Sequence, residues 1–232
     1  MHLGILRTDS VRSDWVGTYG EYPDMFECLL RAQDPTLTFT TWDAEAGALP
    51  DRTDEADGYL ITGSKSSVYD DKDWIRALED FVRILHAERR KLIGICFGHQ
   101  LVAQALGGSV AKSPKGWGVG IQCYELCFNS FELSKNDSFC LLASHQDQVL
   151  AMPPGARAIA TSAHCEIAGM TIGEHVLTFQ GHPEFTVDYS RELITFRREM
   201  IGDHAAEQGL ASLDSRIHEG DRIAGWMLAF LG

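Results

Sequence analysis

Gly94-Ile95-Cys96-Phe97-Gly98-His99-Gln100 sets a thiol between two glycines, after the apolar pair Leu92-Ile93 and before Leu101-Val102-Ala103-Gln104-Ala105-Leu106. The pair reads as the end of a buried strand and the later run as a helix, so Cys96 falls on a strand-to-helix turn. Such a turn lifts the sulfur out of the sheet and aims it at the positive end of the helix, whose unpaired N–H groups stabilise an anion. The thiolate is the reactive form of cysteine, so this is a place for a nucleophile. The same geometry hosts the serine of G-x-S-x-G enzymes. A cysteine taken at random from an apolar strand is more often buried and inert. The flanking glycines and a second motif argue against that here.

The second motif is Gln180-Gly181-His182-Pro183-Glu184-Phe185, which closes the apolar run Val176-Leu177-Thr178-Phe179. His182 could serve Cys96 as a general base. Glu184, two residues on and so on the same side of an extended chain, could hold the other ring nitrogen and fix the tautomer. Either motif alone says little; two of them at the ends of two expected strands are far more specific.

The elements that must position these motifs alternate. Leu3–Leu6, Thr36–Trp42, Tyr59–Ile61 and Leu92–Ile95 read as strands. Met25, Phe26, Leu29 and Leu30 fall at helical spacing, and Trp74, Leu78, Phe81, Val82 and Leu85 form a stripe that predicts a helix over 71–89. This order implies an α/β fold with a largely parallel sheet and helices on both faces. Sites in such sheets lie beyond the carboxyl ends of the strands, where Cys96 and Gly63 both fall. Between 109 and 180 the pattern changes to short strand-like pieces (118–126, 139–142, 156–161, 166–171 and 175–179) parted by turn residues, which suggests antiparallel additions. A helix returns after Val187, and Ile223–Leu231 is a last amphipathic segment. No repeat or low-complexity linker divides the chain, so one domain over 1–232 is expected, with a core over about 1–190 and a helical tail over 191–232.

Twenty basic and 33 acidic residues leave a formal net charge of −13, with no basic block to suit a nucleic acid or an anionic membrane. No run approaches the ~20 apolar residues that span a bilayer, and the N-terminus has no signal-peptide pattern. The six cysteines are scattered without C-x-x-C, and Cys123 and Cys127 lack a histidine pair at zinc-ligand spacing. Free thiols in a cytoplasmic protein are therefore expected, with no metal site.

Taken together, Gly94-Ile95-Cys96-Phe97-Gly98-His99-Gln100 and His182-Pro183-Glu184 resemble the class I (triad) glutamine amidotransferases. The similarity runs over roughly 1–190. The nearest general pattern is the amidotransferase domain of GMP synthase and its free-standing relatives, some of them γ-glutamyl peptidases. The resemblance implies a three-layer, flavodoxin-like fold and a Cys96–His182–Glu184 triad that needs no metal or organic cofactor. A tetrahedral oxyanion requires two N–H donors. The residue after the nucleophile, Phe97, naturally supplies one, and the resemblance assigns the other to Gly63 in Leu60-Ile61-Thr62-Gly63-Ser64-Lys65-Ser66-Ser67. Ser64 and Lys65 stand where the family often has proline and a second glycine. Lys65 hints at a phosphate cradle, but the spacing is not that of a P-loop. Gln100 lies one helical turn past Cys96 on the same side, and in the family this glutamine contacts substrate. Ala143-Ser144-His145-Gln146-Asp147-Gln148-Val149 resembles the segment whose backbone receives the substrate's α-carboxylate and amino group, with Ser144, His145 and Gln146 as the candidate contacts. His145 ranks well below His182 as a base, because it lacks the carboxylate two residues on. His99 is given no catalytic role.

The resemblance thus implies attack of Cys96 on the γ-carbonyl of glutamine or a γ-glutamyl compound, departure of the amine with a proton from His182, and hydrolysis of the thioester. A glutamine amidotransferase subunit serving a separate synthetase is narrowly preferred. A free-standing γ-glutamyl peptidase is the alternative, and a non-catalytic γ-glutamyl-binding module comes third.

Overall fold

The computed structural model describes residues 1–127 and 137–232. The chain begins with β1 (His2–Arg7), a short α1 (Val16–Tyr19), α2 (Tyr22–Gln33), β2 (Thr38–Asp43), β3 (Gly58–Ile61), α3 (Asp73–Ala87), β4 (Lys91–Ile95) and α4 (Phe97–Ala105). There follow β5 (Ser109–Lys112), β6 (Gly118–Leu126), β7 (Ser138–His145), β8 (Asp147–Ala151), β9 (Ala156–Thr161), β10 (Gly169–Ile172) and β11 (Val176–Phe179). Four helices, α5 (Val187–Phe196), α6 (Arg198–Ile201), α7 (Asp203–Ser215) and α8 (Gly220–Leu231), end the chain. Local chemistry sets several starts. Glu21 and Asp24 form a reciprocal capping box on α2. Thr186 caps α5 by accepting from the Tyr189 N–H at 3.1 Å.

The main sheet has nine strands in the order β2-β1-β3-β4-β11-β10-β9-β6-β7. From β2 through β11 all neighbours run parallel, and from β11 onward they are antiparallel. This is the expected mixed α/β sheet with antiparallel additions. Its alternating side chains feed two cores. Leu3, Ile5, Leu60, Ile93 and Ile95 pack with Phe26 and Leu30 of α2 and Ile223, Met227 and Phe230 of α8. Leu6, Tyr59, Ile61 and Leu92 pack on the opposite face with α3 and α4. A third cluster joins α5 and α7 to Ile121 and Leu142 of β6 and β7. The 191–232 segment thus supplies core, since α8 covers one face of the parallel strands.

Differences from the sequence reading have physical causes. β5 and β8 form a separate two-stranded antiparallel sheet that the pattern did not show, because neither alternates. α7 carries the small residues Ala205, Ala206, Gly209 and Ala211, so it lacks a strong apolar stripe, yet it lies against β6. There a Cβ on Gly209 would come within 2.8 Å of Val119. The expectation of free thiols is corrected at one pair: Cys123 and Cys140 are directly opposed in the β6–β7 ladder, with Cα atoms 4.0 Å apart, and form a disulfide. Spacing along the chain could not reveal this, because the pairing depends on strand register. Cys28, Cys96, Cys127 and Cys165 lie outside this disulfide. Among the described residues no helix is long and apolar enough to cross a membrane.

The pairing has a direct check. Denatured, unreduced protein should take up four alkyl groups per chain and reduced protein six, by intact-mass measurement after iodoacetamide treatment. Uptake of six without reduction would show that Cys123 and Cys140 are not joined.

Candidate active site

Cys96 is the only residue between β4 and α4, and it makes the whole turn. Its backbone has φ 53° and ψ −101°, a left-handed conformation that a residue with a Cβ rarely adopts. The flanking glycines serve a purpose other than left-handed backbone. A Cβ on Gly94 would lie 2.6 Å from the Gly98 carbonyl oxygen, and one on Gly98 would lie 2.5 Å from that of Ile61. Both positions therefore exist so that α4 can lie directly on the sheet. The Cys96 N–H donates to the Phe179 carbonyl at 2.8 Å, which ties the turn to the end of β11. Cys96 itself is buried, with a small opening into the cleft.

β11 delivers the second motif beside the first. The His182 N–H donates to the Leu142 carbonyl at 2.7 Å, locking that backbone to β7. Nδ1 of His182 and Oε1 of Glu184 are 2.8 Å apart, and both side chains are buried. Phe185 stacks on the imidazole, with centroids 3.9 Å apart and planes within 9°. Tyr189 packs edge-on against Phe185 at 4.8 Å, and its hydroxyl meets that of Tyr22 at 2.9 Å. The ring is thus held by a carboxylate at one nitrogen and an aromatic stack on one face.

Electrostatics separate the buried histidines. Burial works against the His182 imidazolium, but the Glu184 carboxylate, then Cys96, outweigh it and lift the group to about 10. His145 is pushed down to about 3 by burial, with only a carbonyl contact at Asp147, 3.1 Å away, to offset it. His99 falls to about 4 for the same first reason. It spans the Thr178 hydroxyl at 2.7 Å and the Ile167 carbonyl at 3.0 Å. Burial pushes the Cys165 thiol up to about 12, so it stays protonated.

The loop after β3 closes the cleft. A Cβ on Gly63 would lie 2.7 Å from Cε1 of His182 and 3.6 Å from Cβ of Cys96, so only glycine fits between them. The Thr8 hydroxyl donates to the Gly63 carbonyl at 2.9 Å and anchors it to the end of β1. Lys65 does not cradle an anion. Its backbone N–H donates to buried Asp9 at 2.8 Å, and its ammonium pairs with the same carboxylate. Asp147 pins the far side of the loop by accepting from the hydroxyls of Ser67 at 2.6 Å and Tyr69 at 2.9 Å. The N–H of Phe97 is the first of α4, a position that helices leave unpaired.

A cavity of about 230 Å³ holds Cys96 together with Gln100, Ser144, His145 and Gln146, so the structure brings the expected contact residues to one cleft. Gln100 spends both amide hydrogens inside the protein, on the Asp147 carbonyl at 2.8 Å and Gln180 Oε1 at 3.0 Å. His145 turns its Nε2 toward His164: a Cβ on Gly118 would touch the two Nε2 atoms at 2.9 and 3.0 Å. The sequence reading missed Arg197, which lines this cavity and a second, smaller one beside Cys96. It donates to the Ser144 hydroxyl at 3.0 Å and has no carboxylate partner among the described residues. No motif marks it, because it sits at a helix end some 100 residues from the cysteine. Asp9 was missed too, and Asp147, inside the 143–149 segment, was given no role of its own. Among the described residues no group of three or more His, Cys, Asp or Glu side chains could hold a metal ion.

The His182 environment makes a checkable statement about stability. A group whose proton is held more tightly in the folded than in the unfolded chain stabilises the fold fully below its unfolded value, near 6.5, and loses that contribution as pH rises through the folded value, about 10. Urea midpoints of the protein should therefore fall relative to those of His182→Asn between those limits. Parallel curves for the two proteins would sink the assignment.

A family model for class-I glutamine amidotransferases matches residues 25–199. γ-Glutamyl peptidase 4 of Arabidopsis thaliana is 32% identical over 88% of this chain and 84% of its own. A Schizosaccharomyces pombe protein described as glutamine amidotransferase-like is 29% identical over 99% of this chain and 98% of its own. A glutamine amidotransferase of Thermotoga maritima superposes with a TM-score of 0.75 at 19% identity, covering 100% of this chain and 96% of that one, and so shares the fold. The chain belongs to the class-I glutamine amidotransferase family.

Proposed function

We propose that the protein cleaves γ-glutamyl amide bonds through a thioester on Cys96, as a hydrolase of γ-glutamyl peptides or amines. The observation that carries this is the Cys96 elbow at the start of α4, set against an imidazole whose other nitrogen is 2.8 Å from a buried carboxylate. In this reading the Cys96 thiolate attacks the γ-carbonyl carbon while the N–H groups of Phe97 and Gly63 receive the oxyanion. The C–N bond breaks, and protonated His182 gives its proton to the departing amine. His182 then takes a proton from water as its oxygen attacks the thioester carbon; the C–S bond breaks, glutamate leaves, and the Cys96 thiolate is returned beside protonated His182. Glu184 holds the imidazole and favours its charged form.

Gln100, Ser144, His145 and Gln146 surround the γ-glutamyl group, and Arg197 meets its α-carboxylate. A guanidinium without an ion-pair partner among the described residues, at the mouth of a cleft beside the nucleophile, suits a planar anion. The resemblance to a protein named γ-glutamyl peptidase supports a peptide or amine leaving group rather than ammonia alone. The family supports a second reading, a glutaminase that passes ammonia to a separate synthetase and acts slowly until it docks.

Glutamate release from glutamine and from a panel of γ-glutamyl peptides separates these. Rapid turnover of a peptide by the protein alone supports the hydrolase, and slow turnover confined to glutamine supports the synthetase-dependent form. Cys96→Ala should abolish release in either case; persistence of release would remove the thioester. Glu184→Gln should lower kcat by roughly 10²–10⁴-fold, as loss of the orienting carboxylate does in triads. Arg197→Ala should raise KM by roughly 10–100-fold with a smaller change in kcat, the worth of one charged hydrogen bond. An unchanged KM would dismiss Arg197 as the carboxylate ligand.

A further inference from the structure

We propose that Lys112 selects the leaving group at the Cys96 cleft by receiving a carboxylate on the amine half of the substrate, so that γ-glutamyl amino acids are preferred to γ-glutamyl amines. This selection presupposes the γ-glutamyl reading above and divides its two substrate classes. Lys112 lines the cavity that holds Cys96 and Arg197, and its aim follows from strand register. It lies directly opposite Asp147 in the β5–β8 ladder, and directly opposed residues of an antiparallel pair send their side chains to one face. On that face the Asp147 carboxylate reaches Ser67 and Tyr69 in the loop after β3. The Lys112 side chain therefore leaves its strand toward the loop that closes the cleft. The backbone beneath it is tied to the nucleophile's helix, because the Asp147 carbonyl accepts from Gln100 of α4 at 2.8 Å.

The Lys112 ammonium has no partner of its own. Lys65, Lys72, Lys91 and Lys115 each donate to an oxygen of the protein, whereas among the described residues Lys112 has neither a hydrogen bond nor an ion pair. Asp147 does not supply one, since its two carboxylate oxygens serve the hydroxyls of Ser67 and Tyr69. Lys65, in the same cavity, is neutralised by Asp9 and Glu45. That leaves two cations, Lys112 and Arg197, against one carboxylate, Asp147, in the lining. In a chain whose formal net charge is −13, such a cleft draws anionic groups to itself and repels cationic ones.

The leaving-group class follows from this count. Arg197, held by the Ser144 hydroxyl at 3.0 Å, serves the α-carboxylate of the glutamyl half. The remaining cation fits a second carboxylate, which an amino acid brings as leaving group and an alkylamine does not. A diamine leaving group, with its free ammonium, meets repulsion. The cavity of about 230 Å³ is smaller than the roughly 300–1,000 Å³ usual for small-molecule sites, so a single leaving residue suits it better than a long peptide. Trp117 and Met200, also in the lining, give that residue an apolar contact.

Calorimetric titration of the Cys96→Ala protein, which cannot form the thioester, with γ-glutamylglycine and with γ-glutamylglycinamide isolates the carboxylate, the one group in which the two ligands differ. The acid should bind roughly tenfold more tightly, the worth of one charged hydrogen bond at a partly exposed site. That preference should shrink as salt is raised. Adding Lys112→Gln should bring the two dissociation constants together, and Lys112→Arg in its place should restore most of the preference. Arg197→Ala should weaken both ligands and keep their ratio. Equal binding of acid and amide, or a preference that survives Lys112→Gln, would overturn selection by Lys112; if the intact protein then released glutamate from both compounds, the hydrolase reading would stand without it. Binding of neither ligand would strike the γ-glutamyl reading and the selection together. A preference for the acid that Lys112→Gln abolishes would support the selection even where turnover is too slow to measure.

Discussion

A single residue joins β4 to α4, and the rest of the site is arranged around that fact. A chain can reverse from strand to helix in one step only if that residue leaves the usual backbone regions, and Cys96 does so. A non-glycine residue in such a conformation costs on the order of 1–3 kcal/mol and persists only where its surroundings overdetermine it. Here they do. Leu92, Ile93 and Ile95 are anchored in the two cores on either side of the sheet, and Leu101 and Val102 are anchored in one of them. Gly94 and Gly98 let strand and helix touch backbone to backbone. The turn places Cys96 beyond the carboxyl end of the interior strand β4, at the start of a helix.

The histidines show how one side chain acquires different chemistry from its neighbours. His99, His145 and His182 are all buried, and burial favours the neutral ring in each. Only His182 has a buried carboxylate on one nitrogen and a thiol beside the ring. That contact reverses the direction set by burial. The aromatic stack of Phe185, Tyr189 and Tyr22 adds orientation without charge, because its hydroxyls satisfy each other. Charge state and aim at this position thus come from separate sources.

The change from parallel to antiparallel pairing at β11 has a consequence for the cleft. The parallel half brings Cys96 and Gly63 to the carboxyl ends of adjacent strands. The antiparallel half brings Ser144 and His145 from β7 back over them, and β8 starts with Asp147, whose carboxylate holds the loop after β3. The cleft is therefore walled by segments from both halves, and no continuous stretch of chain contains it.

The alternation of strands and helices, the parallel order of the first half and the two motifs were legible in the chain itself. The apolar spacing in α3 and the buried runs at β3 and β4 are local patterns, and so is a cysteine framed by glycines. Other features were not legible, for reasons that share a cause. The Cys123–Cys140 pair depends on the register of β6 against β7. The sheet of β5 and β8 lacks alternation, and α7 packs through small residues rather than an apolar stripe. Arg197 and Asp9 enter the cleft from distant segments, with ordinary neighbours in sequence. Residue types and short spacings were sufficient to propose the nucleophile, the histidine and the carboxylate, because each motif lies at the end of one strand. Which groups surround them, and which histidine holds a proton, was decided by tertiary packing, since burial and the distance between charges exist only once the chain has folded.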